Sequence, residues 1–272
     1  MFYPRCRLMV YAVTVCIVCA FSSAAQEPQL SEEQMRDFLR NAKVVAYKHT
    51  SKGITAPYRL TLSDGKITHD ASFQSVDEAK IKETFNDGRS EINFRDSYKY
   101  NLAAYELAKL VGLGDMMPVT VERRWTGRTG SLSWWLPVKM DEEKRLKNKI
   151  EPPDPDAWNK QMFKMRVFSQ LVYDMDRNLG NVLISEDWHL WMIDFTRAFR
   201  KYTELENPKN LVKCHRQLLE RLRKLDAVEV ADKTGHWLDK DEVKAIMARR
   251  NKIVALFEAL IAKNGEKEVI YD

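Results

Sequence analysis

Residues 174 to 196 carry three polar side chains whose types and spacing suit phosphoryl transfer. Asp176 is followed five positions later by Asn181, and thirteen positions after that an Asp-Phe pair, Asp194 and Phe195, ends an apolar run. In such sites one Asp accepts the proton of the attacking hydroxyl, and an Asn and a second Asp hold metal ions that bridge the phosphates. Three oxygen ligands favour a hard cation such as Mg²⁺ or Mn²⁺. The simpler interpretation is that Asp176 and Asn181 cap a turn and that Asp194 pairs with Arg197.

The elements around this stretch are predicted to bring the three side chains to one cleft edge. Apolar residues at helical spacing predict a helix from Ala157 to Tyr173 that leads directly into the loop. Val182 to Ser185 and His189 to Ile193 then predict a hairpin that ends at Asp194.

The remaining chain gives a mixed pattern of strands and helices. Alternating residues and turn signals predict five strands: 44–49, 58–62, 66–74, 118–123 and 131–138. Helical spacing predicts helices at 30–43, 97–111, 208–225 and 239–263. Residues 76–93 are charged and aperiodic and are predicted to be a surface excursion, whereas the charged, proline-rich segment 140–156 is predicted to be a hinge.

Several short motifs resemble those of the protein-kinase-like superfamily, and especially the secretory-pathway kinases of the Golgi casein kinase type. Met175-Asp176-Arg177 is similar to the catalytic M-D-R of that family, and residues 194–199 are similar to its D-x-x-R-x-F metal motif. Residues 102–105 and 119–123 resemble its small-lobe helix and the following strand. The pattern also resembles phosphoinositide kinases and HipA-type bacterial kinases, and the resemblance covers residues 40 to 200.

This resemblance implies an α+β, two-lobed protein-kinase-like fold. Residues 26–140 would form a small antiparallel five-stranded lobe with one inserted helix, and residues 141–272 a larger, mainly helical lobe. Asp176 would be the catalytic base, Arg177 a charge partner near the phosphates, and Asn181 and Asp194 the metal ligands. ATP or another nucleotide and Mg²⁺ or Mn²⁺ would be the cofactors, and the phosphate would go to a protein or small-molecule hydroxyl.

The sequence departs from the family at the nucleotide-binding positions. The family has a lysine in the third strand, where this chain has Gln74, and a missing positive charge beside phosphate anions slows transfer. The glutamate that pairs with that lysine is replaced by Asn101 in the motif register, although the apolar face of the helix points to Glu106 instead. Lys80 or Lys82 could supply the charge from the neighbouring segment. These departures leave a second hypothesis open: a pseudokinase acting as a nucleotide-binding or metal-binding interaction module in the cell envelope.

Gly53 marks a possible phosphate-binding loop between the first two strands. Backbone N–H groups in a loop like Thr50 to Thr55 can bind phosphate, but an ordinary hairpin loop explains its single glycine equally well.

The first 25 residues predict a cleavable signal peptide. Arg5 and Arg7 precede an apolar run, and Ala25 ends a small-residue cleavage motif. We therefore expect a secreted or periplasmic chain without stable membrane insertion, an uncleaved anchor being the alternative. Cleavage would leave Cys214 as the one remaining cysteine and would lower the formal net charge from +5 to +3.

Other classes of function are disfavoured by the composition. The mild positive charge is spread among acids and does not indicate a nucleic-acid partner. Cys214-His215 lacks a third member for nucleophilic catalysis. The seven tryptophans, including Trp134-Trp135, could form a glycan-binding face, but strand alternation favours core and rim positions for them.

Overall fold

The computed structural model describes residues 30–50, 57–85 and 88–272. The predicted signal peptide and Gly53 lie outside these residues. Eight α-helices form within the described part of the chain: α1 (Glu32–Asn41), α2 (Tyr98–Leu110), α3 (Glu142–Lys147), α4 (Pro155–Val172), α5 (Arg216–Lys224), α6 (Ala227–Thr234), α7 (Lys240–Asn264) and α8 (Glu266–Val269). The first seven strands are β1 (Lys43–His49), β2 (Tyr58–Ser63), β3 (Thr68–Gln74), β4 (Asp77–Thr84), β5 (Ser90–Ser97), β6 (Thr120–Trp125) and β7 (Arg128–Trp134). The others are β8 (Met140–Asp141), β9 (Val182–Ile184), β10 (Leu190–Met192), β11 (Cys214–His215) and β12 (Ile270–Tyr271).

A five-stranded antiparallel sheet, in the order β1-β2-β3-β7-β6, forms the first half of the fold. Its inward side chains, including Leu60, Leu62, Phe73 and Leu132, are fully buried, as alternation in half-buried strands requires. Thr126 and Gly127 connect β6 to β7 with φ of 48° and 82°, the left-handed backbone of a tight hairpin turn. The predicted sheet is confirmed.

Helix α2 packs on this sheet and continues the core toward the helical half. Nine of its thirteen residues are buried, among them Tyr100, Asn101 and Leu107. The predicted α+β fold class is therefore confirmed, with a helix inserted between the third strand and the last two strands of the five-stranded sheet.

Residues 76–93 lie at the surface, as predicted, but they form a regular hairpin that the sequence did not indicate. These residues belong mainly to β4 and β5, an antiparallel hairpin that pairs with no other strand in the described chain. Almost every residue of β4 is exposed, so the hairpin buries no continuous face and its sequence shows no apolar alternation. Cross-strand backbone pairing, rather than burial, defines it.

The single helix predicted for residues 208–225 was wrong. A short 3₁₀ turn over Pro208–Asn210 and strand β11 precede α5. β11 pairs in parallel with β12, which lies more than 50 residues later in the chain, and the spacing of residues within one segment cannot indicate such a contact. Within the hinge predicted at 140–156, β8 and α3 form, and α3 carries a buried ion pair between Glu142 and Arg145.

The helical half is built around α4 and α7, which pack against each other. Asp239 caps α7 through a capping box with Glu242, and α7 then runs for 25 residues. None of the described helices is long and apolar enough to cross a lipid bilayer.

Candidate active site

The loop after α4 is held by a buried carboxylate. α4 ends at Val172, and the φ of 50° at the following residue, Tyr173, turns the chain away from the helix. Asp174 is 4% exposed and accepts hydrogen bonds from the Asp176 N–H at 3.1 Å and from Arg177 Nε at 2.7 Å. This carboxylate therefore fixes the backbone on which Asp176 stands.

Arg177 is directed into the protein. Its Nη1 atom donates to the carbonyls of Asn181 at 3.0 Å and Ile193 at 2.7 Å, and its guanidinium lies 4.1 Å from the ring centre of Phe195. Through these contacts Arg177 connects the Asp176 loop to the end of β10. Its role as a charge partner near the phosphates stays a prediction.

Asp176 and Asn181 occupy the two ends of one tight loop. Asn181 Nδ2 donates to the carbonyl oxygen of Asp176 at 3.1 Å, and Asn178 Nδ2 donates to Asp176 Oδ1 at 3.2 Å. The amide of Asn181 is thereby oriented with its nitrogen toward the loop, which leaves Oδ1 as a possible cation ligand. The Asp176 carboxylate is half-buried.

Asp194 follows the β9–β10 hairpin in a left-handed backbone conformation with φ of 58°. Its Oδ1 atom accepts hydrogen bonds from Gln74 Nε2 at 3.3 Å and Thr196 Oγ1 at 3.1 Å. Removal from water raises the pKa of Asp194, which the two hydrogen bonds and the nearby Arg177 oppose. Asp96 on β5 is a second carboxyl whose pKa is raised, mainly by burial and further by the charge of Asp194.

Gln74 and Asn101 meet where the family resemblance implied a lysine and a glutamate. Asn101 Nδ2 donates to Gln74 Oε1 at 2.5 Å and to Ser131 Oγ at 3.1 Å. Asn101 Oδ1 accepts the Phe195 N–H at 2.7 Å. Since that acceptor role fixes the orientation of the Asn101 amide, the orientation of Gln74 follows, and its NH₂ group faces Asp194.

Glu106 does not reach this site. Its Oε1 accepts a 2.7 Å hydrogen bond from Arg36 on α1, and Lys109 lies 3.7 Å from its other oxygen. Of the two candidates on α2, the motif register therefore identified the residue beside Gln74, and the apolar-face argument for Glu106 was wrong. Lys80 pairs with Glu78 and Glu83 on the β4–β5 hairpin instead of supplying charge at the cleft.

A cleft of about 500 Å³ opens between the five-stranded sheet and the β9–β10 hairpin. Its polar lining includes Gln74, Asn101, Asn181 and Asp194. Its apolar lining comes from both halves: Met117, Pro118, Trp134, Trp135, Leu136, Met140, Leu183 and Met192. A mostly apolar slot with a few convergent polar groups at one end suits a planar base joined to a charged group. Trp134 and Trp135 line this cleft and are half-buried, so they do not form an exposed aromatic face.

The donor set at the polar end fits a divalent cation. No described residue donates to Asp194 Oδ2, and Asn181 Oδ1 stands on the neighbouring loop, so two oxygen ligands are available. Waters and phosphate oxygens commonly complete such a Mg²⁺ shell. No group of three or more His, Cys, Asp or Glu side chains suited to a metal occurs in the described ranges, so an all-protein metal cage is not formed there.

Three polar residues of the site were missed in the sequence. Ser131 is an ordinary hydroxyl residue whose partner, Asn101, lies 30 residues away, and Thr196 contacts Asp194, two residues before it. Asp96 lies between the predicted surface excursion and the predicted helix, where no element was assigned. A strand prediction for residues 90–97 would have placed Asp96 one residue before the N-cap of α2, and hence near Asn101.

No protein-family model and no curated protein sequence matches the chain. Solved structures do match its fold. A structure of hydra Fam20 with sugar superposes with a TM-score of 0.67 at 14% identity, over 88% of this chain and 91% of that one. The Golgi casein kinase with Mn/ADP bound gives a TM-score of 0.62 at 10% identity, over 88% and 78%. The Helicobacter pylori proinflammatory kinase CtkA gives 0.52 at 8% identity, over 83% and 98%.

Asp194 and Phe195, the first two residues of the 194–199 motif, line the cleft, and the three solved structures share the fold of this chain over most of their length. The chain therefore has the protein-kinase-like fold of the atypical kinases.

Proposed function

We propose that this protein is an atypical kinase-like phosphotransferase that moves a phosphoryl group from a nucleotide to a hydroxyl. One observation carries the proposal: Asn181 and Asp194, which stand on separate loops, both open into the same 500 Å³ cleft together with Gln74. A divalent cation held there would neutralise phosphate charge. The Mn/ADP bound to the similarly folded Golgi casein kinase supports this choice of ligands.

The chain's own residues have separable tasks in this proposal. Asp176 accepts the proton of the attacking hydroxyl, while Asn181 and Asp194 supply cation ligands. Gln74 and Asn101 hold Asp194 with neutral hydrogen bonds where the kinase pattern has an ion pair. The acceptor is a protein or small-molecule hydroxyl outside the cytoplasm, in keeping with the predicted signal peptide.

A pseudokinase is the second candidate, and the Gln74–Asn101 pair favours it. A neutral amide provides no positive charge for the phosphates, and loss of one preorganised charge or donor typically costs 10²- to 10³-fold in rate. Such a protein would bind nucleotide and cation without turnover.

A thermal-shift titration of residues 26–272 with Mn²⁺ or Mg²⁺ and ATP tests both candidates. A ligand present at 100 times its dissociation constant stabilises the folded chain by about 2.7 kcal/mol. We expect a cation-dependent shift; if neither cation with ATP gives one, both candidates are wrong.

Turnover then separates the two candidates. The phosphotransferase should transfer or release phosphate, and Asp176→Asn should abolish this while it keeps the thermal shift. Binding with no turnover in the natural chain would identify the pseudokinase.

A further inference from the structure

The β4–β5 hairpin contacts the segment that follows Asp194. Glu91 on β5 forms ion pairs with Arg197 and with Arg200, the latter through Nη2 at 2.6 Å. The side chain of Glu91 is only 11% exposed, although most of its hairpin faces solvent. An exposed hairpin thus directs one shielded carboxylate at two cations of the 194–200 segment.

The two arginines depend on Glu91 for their charge pairing. In the described ranges no other carboxylate lies within ion-pair distance of either guanidinium. Arg200 is 5% exposed, and its Nε and Nη1 atoms find no hydrogen-bond partner in the described structure. The guanidinium of Arg197 lies 5.1 Å from the ring centres of both Phe85 and Phe94, which belong to the hairpin or adjoin it. Removal of Glu91 would leave the buried Arg200 and the partly buried Arg197 without an ion-pair carboxylate, and proteins tolerate an unpaired buried cation poorly.

The same hairpin is connected to the Asp194 carboxylate. The N–H of Ser97, the last residue of β5, donates to the carbonyl oxygen of Thr196 at 2.8 Å. Thr196 Oγ1 in turn donates to Asp194 Oδ1 at 3.1 Å. Asp194 itself has a left-handed backbone, and a non-glycine residue keeps that conformation only when its surroundings enforce it.

We infer that Glu91 is a positioning residue for the candidate metal site. Its two ion pairs hold the 194–200 segment against β5, so that Thr196 stays bonded to Asp194 and the free Asp194 oxygen faces the cleft. The inference rests on the proposed function only in naming a divalent cation as the ligand. The contact between the hairpin and the 194–200 segment is present whether or not a cation binds.

Glu91→Gln in the full chain tests the inference, with Glu83→Gln as a matched control. Glu83 lies directly opposite Glu91 in the hairpin register, but it pairs with Lys80 instead of the arginines. Hydrogen exchange is measured at the amides of Ala198 and Phe199, which bond to Phe195 and Val172. We expect exchange at these amides to rise about tenfold in Glu91→Gln alone, a typical coupling between linked sites. Equal exchange in the two variants would overturn the inference.

A binding measurement distinguishes positioning from general support of the fold. The affinity for ADP is measured with Mn²⁺ and again with EDTA. We expect Glu91→Gln to weaken only the Mn²⁺-dependent binding, by about tenfold. An equal loss of ADP affinity with Mn²⁺ and with EDTA would overturn the inference, because it would show that Glu91 only supports the fold. If the natural chain binds no ADP at all, the proposed function fails, while the exchange experiment still decides whether Glu91 holds the segment.

Arg197→Gln, which leaves Glu91 paired with Arg200, covers the case in which Glu91→Gln does not fold: increased exchange at Ala198 and Phe199 supports the inference, and unchanged exchange contradicts it. Where Glu91→Gln folds, a double-mutant cycle tests the contact directly. Arg197→Gln and the double variant complete the cycle, because the double variant removes one buried charge of each sign. A double variant that recovers exchange protection supports the inference, and strictly additive effects contradict it.

Discussion

Gln74 donates a 3.3 Å hydrogen bond to Asp194, across 120 residues of chain, and thereby joins β3 to the candidate metal ligand. Asn101 orients this amide at 2.5 Å and also accepts the N–H of Phe195. The neutral side-chain amides of Gln74 and Asn101 thus join the sheet and helix α2 to the Asp194 loop. This arrangement keeps the geometry expected of an ion pair and omits its charge.

Restoring that charge should increase turnover. In the double variant Gln74→Lys, Asn101→Glu, the lysine gains a carboxylate partner on α2 and can reach the phosphates, while the glutamate can still accept the Phe195 N–H. We expect phosphate transfer to rise by about tenfold or more, since one well-placed charge or donor contributes on that scale.

The single Gln74→Lys is the control for the double variant, because it leaves the new lysine paired only with Asp194. It should weaken binding of the cation by competing for that carboxylate. A double variant no faster than the natural chain would show that the amide pair does not limit turnover.

Lys144 is the one cation among the described residues that line the cleft. Its position on α3 is fixed, because Asp141 accepts its N–H at 2.8 Å and the Glu142–Arg145 pair anchors the same helix. We expect Lys144→Gln to weaken ATP binding about tenfold and to leave adenosine binding nearly unchanged, since only ATP carries the phosphates. The measurement is isothermal titration with both ligands. Lys147→Gln, one turn further along α3 and absent from the cleft lining, is the control. Equal loss for ATP and adenosine would contradict a phosphate contact.

Asp194→Asn should change stability and cation binding in opposite directions. Burial raises the pKa of Asp194, so its ionised form destabilises the fold when no cation is bound. Asn keeps the left-handed backbone accessible and can accept from Gln74, but it carries no charge. We expect a higher free energy of unfolding without Mn²⁺ and loss of the Mn²⁺·ATP thermal shift, measured by urea titration and by melting. If the variant is less stable than the natural chain, the contacts of the Asp194 carboxylate contribute more to stability than its burial costs.

Arg177→Gln should destabilise the fold by about 3 kcal/mol, because the partner carboxylate of Asp174 remains buried and unpaired. Guanidinium denaturation measures this cost, and Asp174→Asn in the same chain should recover part of it. A variant with unchanged stability but weaker ATP binding would instead favour the phosphate contact that the sequence resemblance implied.

The sequence located the loop that carries Asp176, Asn181 and Asp194 because these residues lie within 19 positions and a local hairpin fixes their relation. The five-stranded sheet was likewise predictable, since its buried face imposes apolar alternation. The catalytic and cation-binding roles of these residues stay predictions.

Contacts between distant segments were not predictable. Glu106 has the position of a site residue on the face of α2, yet Arg36, 70 residues away, pairs with it. β4 and β5 bury no continuous face, so no periodicity marks them, and the contact of Glu91 with Arg197 and Arg200 depends on that hairpin. Arg177 belongs to a catalytic-type motif, and only the buried Asp174 and Phe195 show why it is directed inward.

The anchor of α2 gives a pH-dependent prediction away from the cleft. Tyr100, next to Asn101, donates a 2.6 Å hydrogen bond to Glu242 on α7, and Glu242 also accepts the Asp239 N–H at 2.8 Å. Burial raises the pKa of Glu242 above its ordinary value of 4.5, against the effect of these hydrogen bonds. The Glu242 carboxyl therefore binds its proton more tightly in the folded chain than in the unfolded chain. The stability that the protonated carboxyl contributes is lost as the pH rises from 4.5 through the raised pKa.

Glu242→Gln removes this titration and can still bond to both partners. We expect the free energy of unfolding of the natural chain, relative to the variant, to decrease as the pH rises from about 4 to about 7, followed by urea titration at each pH. Glu143→Gln, exposed on α3, removes the same formal charge and corrects for net charge. A difference that grows with pH would mean that the ionised carboxylate stabilises the α2–α7 contact, and would reverse the sign derived from its burial.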